Sequence, residues 1–235
     1  MPHLHHVVFD LDGTLVDTAA DIALAANRAL TSFGLAPLDE ACIRGLVGNG
    51  ATRLMAGCLA ACGGEQSAPL DQLVAAFVAA YAKDPVVRSR PYRGMAEVLD
   101  RLRGQGLGLS VLTNKPETLA RQVLDHLGLS AFFAQIVGAG TGLPLKPDPT
   151  GLRGVVAAAG CPPDKTALVG DSTVDWHTAV GAGTRFVGAA WGFTQPDELR
   201  RAGITPLVAW PLALLDDLHA APLAAAPRVG RQHRG

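Results

Sequence analysis

Residues 5–18 read HHVVFDLDGTLVDT. The run HHVVFDL is short, apolar and β-branched, with turn residues on either side, which is the pattern of a buried strand. It runs into Asp10, with Asp12 two residues later, followed by Gly13 and Thr14. Carboxylates this close repel each other and raise the pKa of at least one member. The pair therefore requires either a nearby cation or two acids with different tasks.

Beyond this corner, residues 18–33 read as a helix, with Thr18 and Asp21 in capping-box-like spacing and Gly34 as a stop. From residue 36 to about 91 no strand pattern appears. The stretches DEACIRGLV, ATRLMAGCLAAC and LDQLVAAFVAAYAK read as three helices, broken at Gly48-Asn49-Gly50, Gly63-Gly64 and Asp84-Pro85. Alternation then resumes. Helical patterns GMAEVLDRLRGQG, PETLARQVLDHLG, PTGLRGVVAAAG and TVDWHTAVGAG interleave with strand patterns LGLSVLT, AQIVGA, KTALVGD and RFVGAA, and PDELRRAG, PLVAW and PLALLDDLHA close the series. Strands alternating with helices imply a mainly parallel sheet covered on both faces. The expected fold class is α/β, a doubly wound, Rossmann-like sheet with an all-helical cap inserted after the first strand. The expected division is a core of residues 1–17 and 90–221, a cap of residues 18–89, and a disordered tail at 222–235.

Composition sets the outer bounds. A chain of 235 residues with 49% hydrophobic content can bury a substantial core. Its formal net charge of -1 gives no reason to expect nucleic acid or an anionic membrane as partner. Cys42, Cys58, Cys62 and Cys161 show neither a CxxC pair nor a zinc spacing, and Cys58 and Cys62 share a helical face as small core residues. No Lys or Arg precedes the first apolar run, so it does not read as a signal peptide, and the longest uncharged stretch, residues 127–145, is broken by Gly, Ser, Gln, Thr and Pro. A reduced, cytoplasmic protein is expected, monomer or homodimer.

In open α/β sheets, ligands bind beyond the carboxyl ends of the strands. Those ends carry Asp10 with Asp12; Thr113-Asn114-Lys115; and Gly170-Asp171-Ser172, with Asp175 one helical turn on. Between them lies LPLKPDPT, which holds Lys146 among prolines. Taken singly, Asp171 reads equally as a helix cap, Lys146 as a solvated charge and TNK as a turn. Together they suit phosphate and magnesium. Hard Mg2+ takes oxygen ligands, which Asp10 and Asp171 can supply, and Thr113 with backbone N–H groups can hold phosphate oxygens, with Lys146 as countercharge.

DLDGTLVDT, LTNK, KPDP and GDSTVD resemble, in order and spacing, the four motifs of the haloacid dehalogenase superfamily of phosphatases. The resemblance runs from about residue 6 to 219. VGNGATRLM, LTNK and WGF (191–193) are most like the phosphoglycolate phosphatase subgroup, whereas Arg93 in RPYRGM stands where that subgroup more commonly has a second proline. The resemblance implies Asp10 as nucleophile, forming an aspartyl-phosphate, and Asp12 as general acid/base with its backbone carbonyl on Mg2+. It further implies Asp171 as a metal ligand supported by Asp175, Thr113 and Asn114 as phosphate binders, and Lys146 as the catalytic cation. In the cap, Asn49, Gly50 and Arg53 are candidates for specificity, Arg53 equally well as a carboxylate partner or as a solvated charge. The expected reaction is magnesium-dependent hydrolysis of 2-phosphoglycolate. Hydrolysis of another small phosphorylated metabolite such as a sugar phosphate or pyrophosphate, or a sugar phosphomutase reaction, stands as the alternative, and a phospho-aspartate signalling receiver is the reading from another class.

Overall fold

The computed structural model describes residues 4–64 and 68–219. The chain runs β1 (His6–Phe9), β2 (Val16–Asp17), α1 (Ala19–Ser32), α2 (Glu40–Arg44), α3 (Ala51–Ala61), α4 (Leu70–Lys83) and β3 (Arg90–Pro91). It continues through α5 (Met95–Gly104), β4 (Gly108–Pro116), α6 (Glu117–His126), β5 (Gln135–Ala139), α7 (Thr150–Ala158) and β6 (Thr166–Gly170). Last come α8 (Thr173–Ala182), β7 (Arg185–Ala189), α9 (Pro196–Arg201), β8 (Leu207–Val208) and α10 (Leu214–His219).

The main sheet has the order β5-β4-β1-β6-β7-β8, and every pairing in it is parallel. Because side chains alternate across a strand, β1 splits its residues between the two faces. Val7 and Phe9 join Val111 and Val169 in a cluster closed by Val98, Leu102, Leu119, Val123 and Leu214 from α5, α6 and α10. Val8, with Leu112 and Leu168, packs on the other face against Leu152 and Val155 of α7 and Ala179 of α8. The strand order reverses direction at β1, whose neighbours β4 and β6 lead to opposite edges. A ligand crevice forms at such a switch point.

Helices α1–α4 form the helical insertion. The first and larger cluster continues into them through Leu30, Ile43, Met55, Leu73 and Phe77, so the insertion shares apolar contacts with one face of the sheet. Each fully buried Leu or Met contributes about 1.5–3 kcal/mol. The chain enters and leaves this layer through an antiparallel ribbon of two short strands, with Val16 opposite Pro91 and Asp17 opposite Arg90. Two-residue strands carry no alternation to read, which is why residues 36–91 showed no strand pattern.

The capping box expected at α1 does not form. The Thr18 hydroxyl donates to Asp12 Oδ1 at 2.7 Å, and Thr18 makes no side-chain cap. Asp21 instead accepts the N–H groups of Val87, Arg88 and Ser89 and, at 2.6 Å, the Ser89 hydroxyl. Both residues are taken by tertiary partners, and Asp21 fastens α1 to the segment returning towards the ribbon. Cys58 is buried, as expected, whereas Cys62 is only partly so, and the cysteines are free among the described residues. The tail at 222–235 lies outside the described residues. Among those described, no helix is long and apolar enough to cross a membrane.

Candidate active site

Asp10 follows β1 directly, its N–H bonded to Val169 of β6. A tight turn then carries the chain back, with N–H groups of Thr14, Leu15 and Val16 converging on the Leu11 carbonyl. Gly13, at φ 84°, is the pivot of this turn, and a Cβ there would stand 2.5 Å from Asp171 Oδ2. Only glycine permits both the left-handed backbone and that approach. Asp10 and Asp12 consequently part company: Asp10 looks towards β6, and Asp12 towards β4.

The expected end of β4 at Thr113 is revised. The strand continues to Pro116, but its register against β5 shifts between Leu112 and Pro116. Such a bulge releases residues from the ladder and re-aims their side chains; here they are Thr113, Asn114 and Lys115, all buried. Asn114 was expected to bind phosphate. Its amide nitrogen donates to the carbonyls of Gly48 (3.0 Å) and Lys146 (2.9 Å), and its oxygen accepts the Lys146 N–H at 2.8 Å. With both donors occupied, the Asn114 side chain braces the Lys146 loop and the 48–50 turn.

Lys146 reaches into the acid cluster. Its Nζ lies 2.6 Å from Asp175 Oδ1 and 2.8 Å from Asp10 Oδ1. The one ammonium thus bridges Asp10 and Asp175. Burial works against the Lys146 charge, but Asp10 and Asp175 outweigh it and hold the ammonium above its usual range. Burial raises Asp10 to about 6; Lys146 opposes that rise and Asp175 adds to it. Asp171 is pushed up to about 7, again first by burial and then by Asp175 and Asp10. It accepts the Phe193 N–H at 2.6 Å and, among the described residues, is paired with no lysine.

These carboxylates leave room for a divalent cation. Oxygen atoms of Asp10, Asp171 and Asp175 lie within 4.8 Å of one another, all three residues are buried, and one ammonium serves the group. An all-oxygen donor set with surplus negative charge fits Mg2+. The Asp175 carboxylate is already shared between Lys146 and the Ser172 hydroxyl, which suits it to a supporting position.

Asp12 has a separate partner that sequence reading passed over. Lys115 Nζ lies 3.1 and 3.3 Å from its two oxygens and 4.1 Å from the centre of the Tyr81 ring on α4. The Lys115 side chain is 4% exposed. Burial disfavours its charge, but Asp12 and Tyr81 more than offset this and raise its pKa. Lys115 directly follows the recognised Thr-Asn pair, and its signal was a lysine embedded in a strand end. Arg44 was also missed. It joins the helical layer to the core by donating to the Gly192 carbonyl at 3.2 Å and stacking over Phe193 at 4.9 Å.

A cavity of about 40 Å³ opens between the strand ends and the helices. Asp10, Asp12, Thr113 and Lys115 line it from the sheet, and Gly48, Gly50, Val47, Leu54 and Phe77 from the insertion. Asn49 and Arg53 are not among the described residues that line it. Arg53 is exposed and reaches only Asn49 Oδ1, at 3.4 Å. The site thus gathers Asp10, Asp12, Thr113, Lys146, Asp171 and Asp175, and leaves the two polar cap candidates outside.

The family model of haloacid dehalogenase-like hydrolases matches residues 7–189. A phosphoglycolate phosphatase of Rhodospirillum rubrum is 39% identical over 194 residues, covering 80% of each chain. One of Pseudomonas putida is 36% identical over 230 residues, 95% of this chain and 81% of that one. The solved structure described as "a predicted phosphoglycolate phosphatase from haemophilus somnus 129pt" superposes with a TM-score of 0.86 at 26% identity, covering 92% of this chain and 98% of the other.

Proposed function

Because the chain belongs to the haloacid dehalogenase-like hydrolases and is a phosphoric monoester hydrolase, we propose that it hydrolyses 2-phosphoglycolate to glycolate and phosphate through an aspartyl-phosphate on Asp10. One observation carries the mechanism. Asp10 presents a buried carboxylate beside Lys146 on the wall of a cavity that Asp12 also lines.

In the first half-reaction an Asp10 oxygen attacks phosphorus. The ester oxygen departs with its bonding pair and takes a proton from Asp12. In the second, Asp12 takes a proton from water, whose oxygen attacks the phosphoryl group, releasing phosphate and restoring the Asp10 carboxylate. The Thr113 hydroxyl and backbone N–H groups beside it hold phosphoryl oxygens, and Lys146 neutralises charge while fixing Asp10 in place. Phosphoryl transfer relies mainly on such positioning and charge stabilisation. Asp10, the Asp12 carbonyl and Asp171, with Asp175 behind them, would hold Mg2+, which supplies further neutralisation of the phosphoryl charge when bound.

The substrate assignment draws on relatives that carry the name phosphoglycolate phosphatase and on the lining of the cavity. Its apolar helical wall of Val47, Leu54 and Phe77 offers no polar side chain to the hydroxyls of a sugar.

Phosphate release is the test, measured on 2-phosphoglycolate, hexose phosphates, pyrophosphate and nucleotides with and without Mg2+. The expected result is a kcat/KM for phosphoglycolate at least about tenfold above the others, dependent on Mg2+ and reduced at least about a thousandfold in Asp10→Asn. Preference for a sugar phosphate would overturn the substrate, and undiminished activity in Asp10→Asn would overturn the mechanism.

A further inference from the structure

Lys115 is the cation that lines the cavity among its described residues. Lys146 is paired with Asp10 and Asp175, Arg53 is exposed, and Arg44 is engaged with Gly192 and Phe193. Taking the phosphomonoester reading as its premise, we infer that Lys115 determines specificity by pairing with the carboxylate of the leaving group.

The placement follows from covalent geometry. Asp12 is the acid that protonates the ester oxygen, so that oxygen sits against the Asp12 carboxyl. In phosphoglycolate the carboxyl carbon is only two bonds further along. Lys115 Nζ is 3.1 Å from Asp12 Oδ1 and thus stands beside the region where that carboxylate falls. Around it the insertion offers Val47, Leu54 and Phe77, which bring no second cation. The Tyr81 ring face at 4.1 Å fixes the ammonium from the helical side, so the cation is positioned before substrate arrives.

The charge balance points the same way. A buried ammonium on the cavity wall pairs with a substrate carboxylate and gains nothing comparable from a neutral group. The selectivity is therefore built into the core strand β4, one residue past Asn114, with no contribution from the polar residues of the helical insertion.

The test compares 2-phosphoglycolate with 2-hydroxyethyl phosphate, its neutral analogue of similar size, in the wild type, Lys115→Met and Lys115→Arg. The quantity read is the ratio of the two kcat/KM values, from which any loss of folded enzyme cancels. The wild type should favour phosphoglycolate at least about thirtyfold, the order expected for one buried charge pair. Lys115→Met should bring the ratio to within about threefold of unity, and Lys115→Arg should restore a part of it. If both rates fall in Lys115→Met while the ratio holds, Lys115 only positions Asp12 and the inference is overturned. Equal rates in the wild type also overturn it, yet leave the phosphatase reading intact; no turnover of any ester by the wild type would strike at that reading instead. Should Lys115→Met turn over neither ester, glycolate binding decides. Glycolate should raise the thermal midpoint of the wild type and not of the variant, and equal stabilisation of both overturns the inference.

Discussion

At the strand ends, charge is packed into two neighbouring sets, Lys146 with Asp10, Asp171 and Asp175, and Lys115 with Asp12, nearly all closed to solvent. The helical insertion faces the same cavity with Val47, Gly48, Leu54 and Phe77. The first region concentrates charge in a setting where each unpaired group is costly. The second excludes water and contributes backbone and hydrocarbon. The two meet at a few defined contacts: Asn114 with Gly48, Arg44 with Gly192 and Phe193, and Lys115 with Tyr81. The division suggests that changes at the strand ends will be felt in chemistry and metal binding, and changes in the insertion in stability and closure.

The largest departure should come from Asp171→Asn. The acid cluster carries more negative charge than Lys146 balances. Removing one charge should lower activity at least about a hundredfold and yet stabilise the metal-free protein by about 1 kcal/mol, or roughly 2–4 °C. Thermal melts with and without Mg2+ check both halves. Mg2+ should raise the midpoint of the wild type and leave that of the variant unmoved. Equal Mg2+ stabilisation of the two proteins would place the metal elsewhere.

How much of this could be read beforehand divides along the same line. Asp10, Asp171 and Lys146 were legible because a parallel sheet sends the C-terminal ends of its strands to one edge, so residues far apart in sequence share a place once alternation is recognised. Lys115 shares the strand end with Thr113 and Asn114, but that mark does not say which way its side chain turns. Its position depends on a bulge within β4, and no periodicity reports a register shift. Asp21 was misplaced for a related reason. Its local spacing from Thr18 fits a cap, but both side chains bind partners brought near only by the tertiary fold. The apolar lining from Val47, Leu54 and Phe77 was readable as helix interior, but not as cavity wall.

Asn114→Ala tests the junction itself. It leaves the carbonyls of Gly48 and Lys146 and the Lys146 N–H without their partners, at a cost of about 1–3 kcal/mol. Activity should fall about ten- to a hundredfold, mainly in kcat, because the Lys146 loop loses its brace. Asn114→Asp keeps the acceptor for Lys146 N–H and discards both donors. If Asp recovers most of the lost kcat, the tether on Lys146 is what matters; if it does not, the link to Gly48 and the insertion matters more.

Asp21→Asn is confined to the helical side. Burial alone would push the Asp21 carboxyl up, but the Ser89 hydroxyl and the N–H groups of Ser89, Arg88 and Val87 outweigh it and hold it below its ordinary range. A carboxyl whose folded value is depressed stabilises the protein above its unfolded pKa of about 3.9, and that stability is lost as pH falls through the folded value. The variant should therefore be less stable than the wild type by about 1–3 kcal/mol near neutrality. The gap should narrow below about pH 4, and kcat should stay within about threefold of the wild type at 25 °C. Denaturant midpoints across pH measure this. A gap that widens on acidification would contradict the hydrogen-bond account.

The smallest effect is expected at Arg53. It is exposed, holds Asn49 only at 3.4 Å, and is not among the described residues that line the cavity. Exposed polar contacts of this kind contribute about 0–1 kcal/mol. Arg53→Ala should leave KM for phosphoglycolate within about twofold and stability within about 0.5 kcal/mol. The contrast with Lys115 then becomes sharp: two cations flank the 48–50 turn, and only the one rooted in the sheet should affect the choice of substrate. A KM increase of about tenfold, equivalent to 1.4 kcal/mol, would instead mean that α3 turns Arg53 inward when substrate binds. Specificity would then pass from the strand ends to the helical insertion.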